Sequence, residues 1–124
     1  MRPWLFSSLH YDEISDTLYV SFAPGEQATG VELNAHILLR INTAERRAVG
    51  LTLFEYSVLA QPTDIGPRSV PLSGLAQLSA ELRELVLEIV QHLPVSDFLV
   101  LSAYTPSASE IIPITSVRPL PTAA

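Results

Sequence analysis

Cysteine and lysine are both absent from this chain. Without cysteine there is no disulfide, no thiol chemistry and no cysteine-type zinc site. Without lysine every basic side chain is an arginine, and against 13 acidic residues these leave a net charge of -6. Nucleic acid requires a basic footprint and an anionic membrane surface a basic patch, so neither is an expected partner. Charge of either sign is scarce, at 16% of residues, while 48% are hydrophobic and mean hydropathy is +0.30. That balance leaves apolar surface over, and the expectation is a homo-oligomer or another protein partner that covers it. No apolar run approaches the roughly 18 residues of a spanning helix. The opening Met1-Arg2-Pro3-Trp4-Leu5-Phe6 has no long apolar core behind its single basic residue, so it does not read as a signal peptide. A soluble, cytoplasmic protein is expected.

The motifs of common chemistries are missing as well. There is no G-x-G-x-x-G, no P-loop and no G-x-S-x-G elbow. H-E-x-x-H is absent, and His10, His36 and His92 do not fall at ligand spacing with one another. The serines would let Ser–His–Asp letters be assembled, as in any chain of this size, but letters alone do not make a triad. No catalytic residue, cofactor or metal ligand is assigned from the sequence.

What is present is alternation. In Thr17-Leu18-Tyr19-Val20-Ser21-Phe22 the residues Leu18, Val20 and Phe22 share one face, because successive strand side chains point to opposite sides of a sheet. Val31 and Leu33, then Ile37, Leu39 and Ile41, then Val49, Leu51 and Leu53 repeat the pattern. Breakers separate the runs: Asp12 to Asp16, Ala23-Pro24-Gly25-Glu26, Asn34-Ala35-His36 and Asn42-Thr43-Ala44-Glu45. Short connections suit hairpins, so the reading is an up-and-down antiparallel meander of about five strands. Leu5 to His10 would supply the first strand.

The order Tyr11-Asp12, three residues, Asp16-Thr17-Leu18-Tyr19-Val20, then Val31-Glu32-Leu33 and a closing Val49-Gly50-Leu51-Thr52-Leu53, resembles the domain of unknown function 2283 family of small prokaryotic proteins. The likeness covers about the first half of the chain, residues 5–57. The chain departs from the family pattern at two places. An acidic, glycine-containing turn is replaced by Asn42-Thr43-Ala44-Glu45-Arg46-Arg47, and an acidic–Ala–Ser ending by Glu55-Tyr56-Ser57. The resemblance carries no established activity; it implies an antitoxin-like partner of a small basic ribonuclease-type toxin as one functional expectation, which the acidic balance suits.

Residues 58–78 are proline-rich and without period, and read as a surface connector. Beyond them Leu75, Leu78, Leu82, Leu85, Val86, Ile89 and Leu93 recur at three and four, one face of a helix over 79–93. Ser79 is a good N-cap, Glu81 suits the first turn, and Pro94 stops the helix. Such a helix is marginal alone in water, so docking on the sheet must stabilise it. Two strands follow within 97–116. Phe98 to Ala103 is apolar on both faces, as in a strand covered on both sides. Pro113 cannot donate to a ladder, so the last strand is expected at an edge or a bulge. Residues 119–124 read as a frayed tail. The whole is an α+β fold in a single domain of residues 1–118: an antiparallel meander packed against one main amphipathic helix, followed by a C-terminal β-hairpin.

Three functions remain open on this reading. The first is a non-catalytic protein–protein module or homo-oligomer, and the second is the antitoxin-like partner. The third is a small acid–base enzyme using Asp12 or Asp16, with a polar pocket drawn from Tyr11, Asp12, Glu32, Arg40 and Glu55. Aspartates at strand ends more commonly accept backbone N–H bonds in turns, and that is the reading preferred for Asp12 and Asp16. A histidine beside such a turn, as His10 is, is more commonly a surface or packing residue than half of a His–Asp site. Helix docking gives the first test: Leu85→Asp would bury an unpaired charge and should unfold the chain. A thermal melt within a few degrees of the wild type would show instead that this helix face is not buried.

Overall fold

The computed structural model describes residues 8–119. Five strands form one antiparallel sheet: β1 (Ser8–Asp12), β2 (Thr17–Ser21), β3 (Thr29–Asn34), β4 (Ile37–Asn42) and β5 (Arg47–Phe54). The inward positions are those the alternation marks. Leu18 and Val20 on β2, Val31 and Leu33 on β3, Ile37, Leu39 and Ile41 on β4, and Leu51 and Leu53 on β5 are all buried in one core. Across the sheet they fall into rows, with Val20 opposite Leu51, Leu51 opposite Leu39 and Leu39 opposite Val31.

The strand order is β1-β2-β5-β4-β3, not the sequential meander expected. Counted backwards from β5, three hairpin-linked strands are followed by β2, which returns beside β5 as in a Greek key. Chain length explains the difference. The loop 22–28 spans seven residues and reaches roughly 25 Å, whereas passing over β5 and β4 needs roughly 14 Å. The turns 35–36 and 43–46 permit only hairpins. β5 is also bulged: Arg40 pairs with Gly50 but Ile41 with Ala48, so Ala48 joins the core cluster while Val49 is the extra residue. The first strand runs on through Tyr11 to Asp12; the expected start at Leu5 lies outside the described residues.

A short helix, α1 (Tyr56–Leu59), follows β5. Next comes β6 (Ser69–Pro71), so the segment read as a connector contributes a strand. The main helix, α2, spans Ala80–Gln91 with Ser79 as N-cap, its side chain accepting the Leu82 N–H at 3.2 Å. Leu85, Val86, Ile89 and Val90 are buried and belong to the same core as Val20 and Leu51. At roughly 1.5–3 kcal/mol each, as an upper limit, these residues outweigh the poor intrinsic stability of a helix this short. Leu93, expected on the buried stripe, is instead 55% exposed, because the helix ends at Gln91 and His92 is already extended.

The last strands, β7 (Leu99–Ser107) and β8 (Glu110–Val117), form with β6 a second sheet in the order β6-β8-β7. β8 is therefore central where β6 pairs with it, from Ile114 to Ser116, and an edge only below that point. Pro113 lies at the changeover. The Leu72 N–H donates to its carbonyl at 2.9 Å, and the Leu72 carbonyl turns away to accept from Leu75 N–H, so the missing proline donor leaves no acceptor stranded. β7 is not covered on both sides: only Leu99 is buried and Leu101 half-buried, with the remainder exposed. Of the expected tail, residues 120–124 lie outside the described residues.

The two sheets meet at two polar or steric seams. Asn34, almost fully buried, donates to the Pro71 carbonyl at 2.9 Å and accepts the His36 N–H at 2.8 Å. The 3-10 turn Ser73–Gln77 presses onto β3 so closely that a Cβ on Gly74 would lie 1.9 Å from the Glu32 carbonyl oxygen. Backbone at such a distance cannot yield as a flexible side chain would. Gly74→Ala is therefore expected to cost at least about 2 kcal/mol in chemical denaturation, against less than about 0.5 kcal/mol for the exposed Ala76→Ser nearby. Equal stability of the two variants would contradict this seam.

Candidate functional site

The turn between β1 and β2 carries a dense set of side-chain hydrogen bonds. Asp12 accepts the Ile14 N–H at 3.0 Å, within its own turn. Asp16 does more. It adopts the left-handed conformation at φ 53°, which aspartate tolerates better than most residues. The Tyr11 hydroxyl donates to its Oδ1 at 2.6 Å, the Ser57 N–H to the same oxygen at 3.0 Å, and the Ser57 hydroxyl to Oδ2 at 2.6 Å. Its carbonyl accepts the Tyr56 N–H at 2.9 Å. Glu55, the residue that formally precedes α1, makes no side-chain cap, so Asp16 caps that helix from 41 positions away in sequence.

These bonds set the local charge states. The Ser57 hydroxyl, then the Tyr11 hydroxyl and the Ser57 N–H, hold the Asp16 carboxyl below the ordinary aspartate value of 3.8. Hydrogen bonds from the Ser15 hydroxyl and the Ile14 N–H do the same for Asp12. The bond to Asp16, with Asp16's negative charge beside it, pushes the Tyr11 phenol up to about 12. Carboxylates held low are ionised and weakly basic near neutrality, the opposite of what an acid–base pair tuned to pH 7 requires. The arrangement is a clip that joins β1, the β1–β2 turn and α1.

The remaining candidates do not converge on it. Glu32 is on β3, at the far edge of the sheet from Tyr11 and Asp12 on β1. Arg40 pairs in register with Gly50 and faces outward, whereas Tyr11 pairs with Leu18 on the inward side. Glu55 Oε1 lies 3.1 Å from His36 Nδ1, close but outside hydrogen-bond geometry. The single pocket drawn from Tyr11, Asp12, Glu32, Arg40 and Glu55 therefore does not form. His10 stacks on Tyr19 with centroids 6.2 Å apart, and the His92 ring lies 2.6 Å from the Glu88 carbonyl at the end of α2. Among the described residues no three His, Asp or Glu side chains group as a metal site.

Two features escaped the sequence reading. One is an open recess of about 320 Å³ on the outer face of the five-stranded sheet, beside Arg40. The other is the outer edge of β7, nine residues without a charged side chain and, among the described residues, with no strand paired on that side. Val100 is 36% exposed and Tyr104 55%, and Ile111 near the start of β8 is 70% exposed. The apolar run was visible in the sequence, but only the strand order shows that it lies at an edge. No family model, no curated protein and no solved structure matches this chain. Among the described residues no helix is long and apolar enough to cross a membrane.

The clip has a pH signature. The Asp16 carboxyl is lowered on folding, so its contribution is complete above the ordinary aspartate value and is lost as pH falls through the depressed one. Tyr11 is raised from 10.0, so its contribution is complete below pH 10.0 and is lost as pH rises towards about 12. Asp16→Asn, which tolerates the same backbone conformation, should melt lower than the wild type at neutral pH. The gap should narrow on acidification and vanish below the depressed value. A gap that stays constant down the acid limb would show that no ionised clip forms.

Proposed function

We propose that the protein is a self-associating binding module, two copies of which pair through the outer edges of β7. The observation that carries this is the edge itself. An unpaired strand presents a row of N–H and C=O groups that template another strand, and proteins that stay monomeric blunt such edges with charges, proline or bulges. From Leu99 to Thr105 the β7 edge has none of the first two, and its irregularity begins only after Tyr104. In a chain of net charge -6, a neutral stretch of this length also lowers the repulsion between copies.

Identical strands pair antiparallel about a two-fold axis, giving a closed dimer and a continuous six-stranded sheet. Centred on Ser102, this pairing sets Val100 of one copy opposite Tyr104 of the other, twice, and Leu101 opposite Ala103. A β-branched side chain facing an aromatic one across a ladder is a favourable pair. The exposed apolar surface that motivates a partner is thereby covered at the place where the backbone is also unsatisfied. The other readings draw less from the geometry. Asp12 and Asp16 are held as weak bases. Part of the acidic surface that would suit a basic toxin is occupied by the chain's own arginines, Arg46 on Glu88 and Arg47 on Glu26 and Glu45.

Light scattering coupled to size exclusion should give a dimer at micromolar concentration. Ser102→Arg places two like charges face to face at the axis and should give a monomer. Because Ser102 is exposed, melting and the far-ultraviolet spectrum should stay close to wild type when extrapolated to low concentration. A wild-type monomer at high micromolar concentration, or a Ser102→Arg dimer, would overturn the proposal.

A further inference from the structure

On the outer face of the five-stranded sheet, one cross-strand row reads Ser8, Ser21, Gly50, Arg40 and Gly30 over β1, β2, β5, β4 and β3. One arginine is thus set among the smallest side chains. At Gly50 the space is used: a Cβ there would lie 3.2 Å from both Nε and Nη2 of Arg40 and 3.1 Å from the Val20 carbonyl. The Nε–Nη2 edge of the guanidinium therefore lies over β5 where glycine leaves room for it.

Among the described residues this guanidinium has no hydrogen-bond or ion-pair partner. Its Nε is shut off from solvent and donates to nothing. The other described arginines are engaged: Arg46 and Arg47 by glutamates, and Arg68, Arg83 and Arg118 by backbone carbonyls. With 13 acidic residues in the chain, none is placed to neutralise Arg40. Beside it opens the recess of about 320 Å³, to which Ser8, Ser21 and Thr52 contribute, with Tyr19 in the wall. The ring of His10, stacked on Tyr19 at an interplanar angle of 20°, extends the aromatic surface.

With Nε packed over Gly50, the terminal Nη groups are the donors this guanidinium can present to a carboxylate or phosphate, and neighbouring hydroxyls supply further donors. We infer that this recess binds a small oxyanion-bearing molecule, a carboxylate or a phosphate ester, through Arg40, with Tyr19 carrying its apolar body. The site is on the five-stranded sheet, whereas the β7 edge belongs to the other sheet, so either can exist without the other.

Nuclear magnetic resonance titration of the full chain with inorganic phosphate, acetate and benzoate, at matched ionic strength in chloride, tests this. Saturable shifts are expected at the Arg40 Nε–H and at the Ser21, Gly50 and Thr52 amides, with a dissociation constant on the order of 1 mM for the best probe. Arg40→Gln should weaken binding by about tenfold or more. Thr52→Val, which keeps the charge, should weaken it less. Phosphate binding above both carboxylates would assign a phosphate ester, and benzoate above acetate a carboxylate with a ring on Tyr19. Shifts that fail to saturate, that chloride reproduces, or that persist unchanged in both variants would overturn the inference.

Discussion

The placement of β5 between β2 and β4 is the constraint on which the rest depends. Leu51 and Leu53 meet Val20 and Leu18 on one side and Leu39 and Ile37 on the other. Without β5 the chain holds two separate two-stranded ribbons, β1–β2 and β3–β4, each marginal in water. With it they become one surface wide enough for α2, and the same core continues into Leu99 and Val117 of the second sheet. The clip follows from the same placement. The Asp16 turn meets α1 only because β5, the strand that leads into α1, pairs with β2.

Much of this was legible residue by residue and little of it pair by pair. Alternation told correctly that Leu18, Val20, Leu39, Leu51 and Leu53 face inward, since period two is a property of one strand alone. It is blind to which strand lies next door. Loop length was the available signal for order, and 22–28 is the longest connection in the first sheet. The two-faced apolar run at Phe98 to Ala103 misled for a related reason. Apolar side chains on both faces are equally compatible with a strand buried between layers and with an edge awaiting a partner. β6 left almost no trace, because three residues around a proline acquire strand geometry only by pairing with β8.

The site was legible to the same degree. Tyr11, Asp12 and Asp16 stood out as a turn cluster, and Asp12 behaves as turn aspartates do. That Asp16 is completed by Ser57 could not be read locally, because the partner is 41 positions away. The grouping of Tyr11, Asp12, Glu32, Arg40 and Glu55 failed because proximity in a sheet is set by strand order and face together. Arg40 and Gly50 illustrate the converse: an unremarkable arginine and glycine become a feature once register sets them side by side.

Sequences that specify one structure tend to agree with themselves at every level, and their departures concentrate where something other than folding is selected. In this chain the helix is capped, the buried asparagine is bonded on both sides of its amide, and Arg46 and Arg47 have acceptors. Against that background two departures stand apart. An uncharged edge strand exposes backbone groups that a single charged side chain would have protected from pairing. A guanidinium on the outer face forgoes the carboxylate that a chain rich in acidic residues had ample means to supply. Neither arrangement stabilises the isolated chain. Under the two proposals made for this chain, a second strand would complete the edge and an oxyanion the arginine.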